Sequence, residues 1–303
     1  MLIILDEYKR SFFFGKQTIK KGNKGALTLL EWTSDTWGKL MGPYGSGENV
    51  PMLLQQLMQE YNQETADELF QEYLFHQNTI YTVTYAAVPY LAKMARMTKD
   101  PEVQRHLFIT CGIIEASRDK NDSMPYPTAW AELAEDVGAS ICEDIYSGYI
   151  EAIRDIASLS EEVVTHTALA PIDDVEKRYI LIADSAFRGS NKVANMLLTF
   201  TAGDEYIAVC QECNQEVYLW PNEEDGHIQA FAQDPVFEEE QQAQIVIPAS
   251  QYLDADQAML ADQVMAIGEH GLARHLPYLA GETNCPSCGV NIPIWQALLS
   301  IFD

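Results

Sequence analysis

Two segments of this 303-residue chain repeat one another, and the distance between them limits the folds open to it. Val50-Pro51 and Val88-Pro89 each open the pattern Val-Pro-x-Leu, with a further apolar residue three positions on: Leu57 follows Leu54, and Met94 follows Leu91. The offset, 88 − 50 = 38 residues, is close to the roughly 40 to 47 of repeating helical pairs. Such pairs cannot bury their apolar faces alone, so the pattern predicts stacked helices.

The helical period begins at Asn49, which is expected to cap a helix with Pro51 in its first turn, where a missing N–H costs nothing. Val50, Leu53, Leu54 and Leu57 fall at i, i+3, i+4 and i+7, and Ala66, Leu69, Phe70 and Tyr73 repeat the spacing. A second pair is expected from Thr79 to about Ser117. Its first helix buries Val83, Ala87, Leu91 and Met94, its second Val103, Leu107, Cys111 and Ile114; Pro89 should kink or split the first. Trp130 to Ile156 keeps helical spacing with break points at Gly138 and Ser147-Gly148. A less regular third pair carries Val175, Tyr179, Ile182 and Ala186, then Val193, Met196, Leu197 and Phe200. Residues 1–43 read as an irregular cap holding Phe12-Phe13-Phe14 and the basic stretch Lys16 to Lys24.

After Gly203 the period changes to alternation. Tyr206–Val209 and Glu216–Trp220 read as strands flanking Cys210-Gln-Glu-Cys213, His227–Phe231 and Ile245–Ile247 as further strands, Ala255 to Leu279 as helix, and Pro293 to Phe302 as a final helix after Cys285-Pro-Ser-Cys288-Gly289. A Cys-x-x-Cys turn brings two thiolates toward one metal, and the residue after the second cysteine needs positive φ, which Gly289 supplies freely and Asn214 tolerates. Cys210, Cys213, Cys285 and Cys288 therefore predict a closed tetrahedral site for structural zinc, against the alternatives of disulfides, a redox pair or unlinked thiols. The long interval between the pairs exceeds that of ordinary zinc ribbons, so an inserted strand-and-helix segment must close the site. Cys111 and Cys142 lie on apolar helical faces and read as core.

The net charge is −26, and from Gly203 onward seventeen acids face one base, Arg274. Such a surface repels phosphate backbones and argues against a nucleic-acid ligand; it suits a basic protein partner. No apolar run long enough for a membrane span or signal peptide occurs, so a cytoplasmic chain is expected. His270 and His275 are too far apart in sequence to share a helical metal face. Glu161-Glu162 and Asp173-Asp174 sit at expected helix starts, where carboxylates are favoured anyway. His76 is read as a helix end, and no nucleophile motif is recognisable.

The stretches YGSGENVP, LFHQNTIY and AAVPYLAKM resemble a group of bacterial HEAT-repeat proteins of the PBS-lyase HEAT-like type, over residues 44 to 120 specifically and to about 200 loosely. Some members of that group resemble immunity proteins of polymorphic toxin systems. The resemblance implies a binding scaffold, with Tyr44, Gly45, His76, Gln77 and Tyr81 as candidate binding positions, alongside Val88 and Pro89. The expected architecture is thus mainly α: an irregular cap (1–43), a HEAT-like α-α superhelix of about three pairs (44–202), and a small zinc-ribbon-like β segment with helices (203–303). The expected function is a non-enzymatic protein-binding scaffold, of the kind that neutralises a basic toxin domain. An enzyme with an unrecognised site in the helical groove and a zinc-ribbon module linked to nucleic acid are the alternatives.

Overall fold

The computed structural model describes residues 29–222, 226–238 and 241–302. Among them the chain is mainly helical, with twelve α-helices and small antiparallel sheets. The Phe12–Phe14 cluster and the Lys16–Lys24 stretch lie outside the described residues. The chain forms two compact units divided after Ile156.

In the first unit a 3-10 turn, Asp35–Gly38, precedes a hairpin of β1 (Met41–Gly42) and β2 (Gly45–Ser46). Helix α1 (Val50–Gln59) buries Val50, Leu53, Leu54 and Leu57, the stripe its sequence predicts; Asn49 precedes it without a side-chain capping bond. Helix α2 (Gln63–Glu68) runs into one wide π-type turn, Leu69–Leu74, which reaches a second hairpin, β3 (Phe75–His76) and β4 (Thr79–Ile80). His76 is therefore a strand residue just beyond the helix, not a helix end.

Helix α3 (Thr82–Met97) contains Pro89 without being divided by it. Its core face, from Val83 through Val88 to Leu91, packs against α1 and α4 (Pro101–Ala116), and that burial outweighs one missing backbone bond. A 3-10 turn (Thr128–Trp130), α5 (Ala131–Val137) and α6 (Ala139–Ala157) follow. Of the two expected break points only Gly138 is used; Gly148 is buried inside α6.

Two polar clusters stitch this unit. Buried Glu115 receives both Arg118 Nε (3.0 Å) and Nη2 (2.8 Å) and a 2.6 Å bond from Tyr149. Tyr149 meets Tyr85 with the rings tilted at 49° and centroids 4.8 Å apart; Tyr85 donates to Asp122 and meets Trp130 edge-on. In the second cluster His106 of α4 bonds Tyr61 through Nδ1 and Gln63 through Nε2 (2.9 Å). Burial and, after it, neighbouring Arg105 hold its pKa down at about 4.

The second unit opens with α7 (Ser160–Leu169), α8 (Asp174–Phe187) and α9 (Asn191–Thr199). Glu161 and Glu162 lie in the first turn of α7, and Asp173 caps α8 by accepting from the Glu176 N–H at 2.8 Å. A four-stranded antiparallel sheet follows in the order β5 (Tyr206–Val209), β6 (Glu216–Pro221), β7 (Ile228–Phe231), β8 (Gln244–Ile245). Its register places Tyr206 opposite Leu219 and Ala208 opposite Val217, and all four are buried on one face. Helices α10 (Ala255–Ile267) and α11 (His270–Leu279), the hairpin of β9 (Glu282–Asn284) and β10 (Asn291–Pro293), and α12 (Ile294–Leu299) complete it.

The boundary between the units falls well before the 202/203 division expected from the change of sequence period. The reason is packing: α7 and α8 contact α10, and α9 contacts α12, so the helices before the sheet share a core with those after it. At its centre Arg178 of α8 (5 % exposed) pairs with Glu269 (0 % exposed) at 3.0 Å and donates to the Thr201 carbonyl at 2.8 Å. Close by, His275 of α11 bonds the Tyr206 hydroxyl at 3.1 Å. Burial first, then the positive charges of Arg178 and Arg274, depress its pKa to about 4.

Candidate metal centre

Each cysteine pair occupies the turn of a β-hairpin, and the two turns share one hydrogen-bond plan. In the first, Cys210 N–H donates to Gln215 O (3.0 Å) and Asn214 N–H to Cys210 O (2.8 Å). In the second, Cys285 N–H donates to Val290 O (2.7 Å) and Gly289 N–H to Cys285 O (2.8 Å). The residue after each second cysteine sits left-handed, Asn214 at φ 55° and Gly289 at φ 77°, as the sequence predicts.

Sulfurs are turned inward by the same plan. Cys210 Sγ accepts from the Cys213 and Glu212 N–H groups, Cys213 Sγ from Gln215 and Cys288 Sγ from Val290. Burial pushes the Cys210 thiol up, but these donors, together with the neighbouring Cys213 and Cys285 thiols, outweigh it and lower the pKa.

The turns meet sulfur to sulfur. Cys210 lies 3.8 Å from Cys288 and Cys213 lies 3.8 Å from Cys285, with all four sulfurs within 4.8 Å of one another. A disulfide needs about 2.05 Å, so these are thiols. A tetrahedral ion with metal–sulfur bonds of about 2.3 Å spaces its ligands about 3.8 Å apart. The four cysteines can therefore hold a metal ion, and four-sulfur chemistry with that spacing is compatible with zinc. Cys210 and Cys285 are buried, Cys213 half-buried and Cys288 exposed, so one side of the site faces solvent.

Comparison with family models, curated proteins and solved structures gave no match.

The long interval is closed by pairing rather than by proximity in sequence. Residues between the two turns build β6 to β8, α10 and α11, and the chain then returns alongside β8. Ile247 and Glu282 exchange backbone bonds of 2.8 and 3.0 Å, and Thr283 Oγ1 donates to Ile245 O at 3.0 Å. Gly281 permits that approach, since a Cβ there would lie 2.0 Å from Ile247 O.

The positions singled out by resemblance lie in the first unit: Tyr44, Gly45, His76 and Gln77 in or beside the turns of its two hairpins, Tyr81 at the start of α3, and Val88 and Pro89 buried within it. Tyr44 OH and His76 Nδ1 are 3.0 Å apart, and the rings meet edge-on at 5.4 Å. Gly45 follows Tyr44 with φ 137°, and Gln77 and Asn78 turn the second hairpin at φ 48° and 57°. Tyr81 opens α3 and gives its N–H to Thr84 Oγ1 at 3.0 Å. Cys111 and Cys142 are fully buried core residues.

No motif in the sequence marks the Arg178–Glu269 pair. Its one signal is Arg178 itself, which falls three after Val175 and four before Ile182 on what is otherwise an apolar face.

Proposed function

We propose that the protein is a non-enzymatic interaction scaffold that binds a basic protein, in the manner of an immunity protein neutralising a toxin domain. In this reading the helices form a HEAT-like array, the four cysteines hold structural zinc, and the chain works in the cytoplasm, where its thiols stay reduced.

One observation carries the reading: Tyr44, 65 % exposed, is fixed at a hairpin tip by its bond to His76, the strand residue beside the turn of a second hairpin. A large exposed aromatic whose orientation is already set loses little freedom on binding and makes a good anchor for a protein surface. The acidity of the chain supplies the complementary half of the argument, since it steers basic partners and repels acidic ones.

The test is calorimetric titration with the basic products of genes adjoining its own. One of them is expected to bind, more weakly at high salt, and Tyr44→Ala should weaken that complex about tenfold or more. Absence of binding to any of them, or a Tyr44→Ala variant that binds as well as the parent, would overturn the reading. Elemental analysis should find one zinc per chain, and Cys285→Ser should lose it.

A further inference from the structure

A groove of about 620 Å³ runs along the first unit between the 3-10 turn Asp35–Gly38 and helix α1. Its volume is within the range of ligand clefts, and its lining is of three kinds. Trp32 forms an aromatic wall, Asp35 and Glu48 are the acidic members of the lining, and Gln55, Gln56 and Gln59 lie on the exposed side of α1. Among the described residues that line it there is no Lys or Arg.

The aromatic wall is set in advance. Trp32 lies on Tyr90 with ring centroids 3.9 Å apart, and Tyr90 is itself anchored by a bond to the Leu30 carbonyl. Trp37 at the floor gives its indole N–H to the Glu31 carbonyl at 3.0 Å. Each lining group matches one part of a basic polypeptide. Carboxylates take the charge of Lys or Arg, an indole face takes the cation or its methylene stem, and primary amides both donate to and accept from an extended main chain.

We propose that this groove is the docking site for an extended, lysine-bearing segment of the basic partner. The identity of the occupant as a protein segment rests on the scaffold reading above; the groove's preference for a basic peptide does not.

Fluorescence anisotropy with a short fluorescein-labelled peptide of alternating lysine and threonine tests it on the full chain. The parent protein is expected to bind, and the double variant Asp35→Asn/Glu48→Gln to bind about tenfold more weakly. Gln56→Lys, a change at an exposed position that leaves the packing of Trp32 intact, should weaken binding to a similar degree. Glu161→Gln/Glu162→Gln, which removes the same charge from α7, should leave the affinity within about twofold. No binding by the parent would overturn the proposal. So would equal losses from the groove and α7 pairs, which would mean attraction by net charge alone, or an unaffected Gln56→Lys variant. If the peptide binds in the groove while no adjoining gene product binds the protein, the scaffold reading fails and the groove assignment stands.

Discussion

At the scale of single residues, the chemistry of this chain is carried by buried groups whose partners are distant in sequence. Arg178 and Glu269 are 91 positions apart and almost wholly enclosed. Arg178→Met should cost about 3 to 5 kcal/mol in chemical denaturation, because it leaves the buried Glu269 without its counter-charge and with only the Leu272 N–H as a donor; Arg178→Met/Glu269→Leu should recover part of that loss, less what the helix cap contributes. The cysteine turns are the opposite case. Everything that shapes one of them lies within six residues, which is why Cys-x-x-Cys followed by Asn or Gly could be read directly from the sequence. Gly289→Ala should destabilise by about 1 kcal/mol, whereas Asn214→Gly should be neutral or slightly stabilising, since only the former adds a Cβ to a left-handed position. Thermal unfolding of the two variants compares them.

At the scale of elements, apolar spacing marks α1 and α9, which each bury one stripe, and also α3, α4 and α8, whose buried faces widen into runs that enclose most sides of the helix. It did not separate a helix from the short structures that interrupt one. The run from Ala66 to Tyr73 has helical spacing, yet its second half is a π-type turn, and the next residues form a hairpin. Strands of two residues are too short to show alternation. The signal present was Gln77-Asn78, whose left-handed pair suits a tight hairpin. Joining the two hairpins required Tyr44 and His76 to meet across the fold, and no local pattern contains that contact. Likewise the division after Ile156 follows from helices α7 to α9 packing on α10 and α12, a matter of tertiary core and not of period. Gly281→Ala should be among the most disruptive substitutions in the second unit, because the pairing of Ile247 with Glu282 brings the second cysteine turn back to the first. Loss of bound metal together with a lowered melting temperature is the expected outcome.

At the scale of the whole molecule, two histidines make stability depend on pH in the same direction. His106 and His275 have folded-state pKa values near 4, below the ordinary 6.5, so between these values the unfolded chain binds protons that the folded chain refuses. Their contribution is complete above about pH 6.5 and is lost as pH falls toward 4, by up to about 3 kcal/mol for each group. Unfolding midpoints measured across that window should fall with acid, and His275→Gln should flatten part of the slope. Net charge acts separately. At −26 the chain repels itself, so moderate salt should raise the melting temperature even as it weakens a basic partner's hold.

The return of the chain beside β8 also determines what a single cut would do. With a metal bound, Cys213 and Cys285 belong to one chelate, and everything between them becomes a ring closed through the ion. The stretch from Ile247 to Asp254 lies on that ring, and Leu253 there is 85 % exposed. A protease that nicks it opens the ring without releasing either piece, because each fragment keeps two of the four sulfurs. The nicked protein should travel as one particle under native conditions and separate more readily once a chelator withdraws the ion.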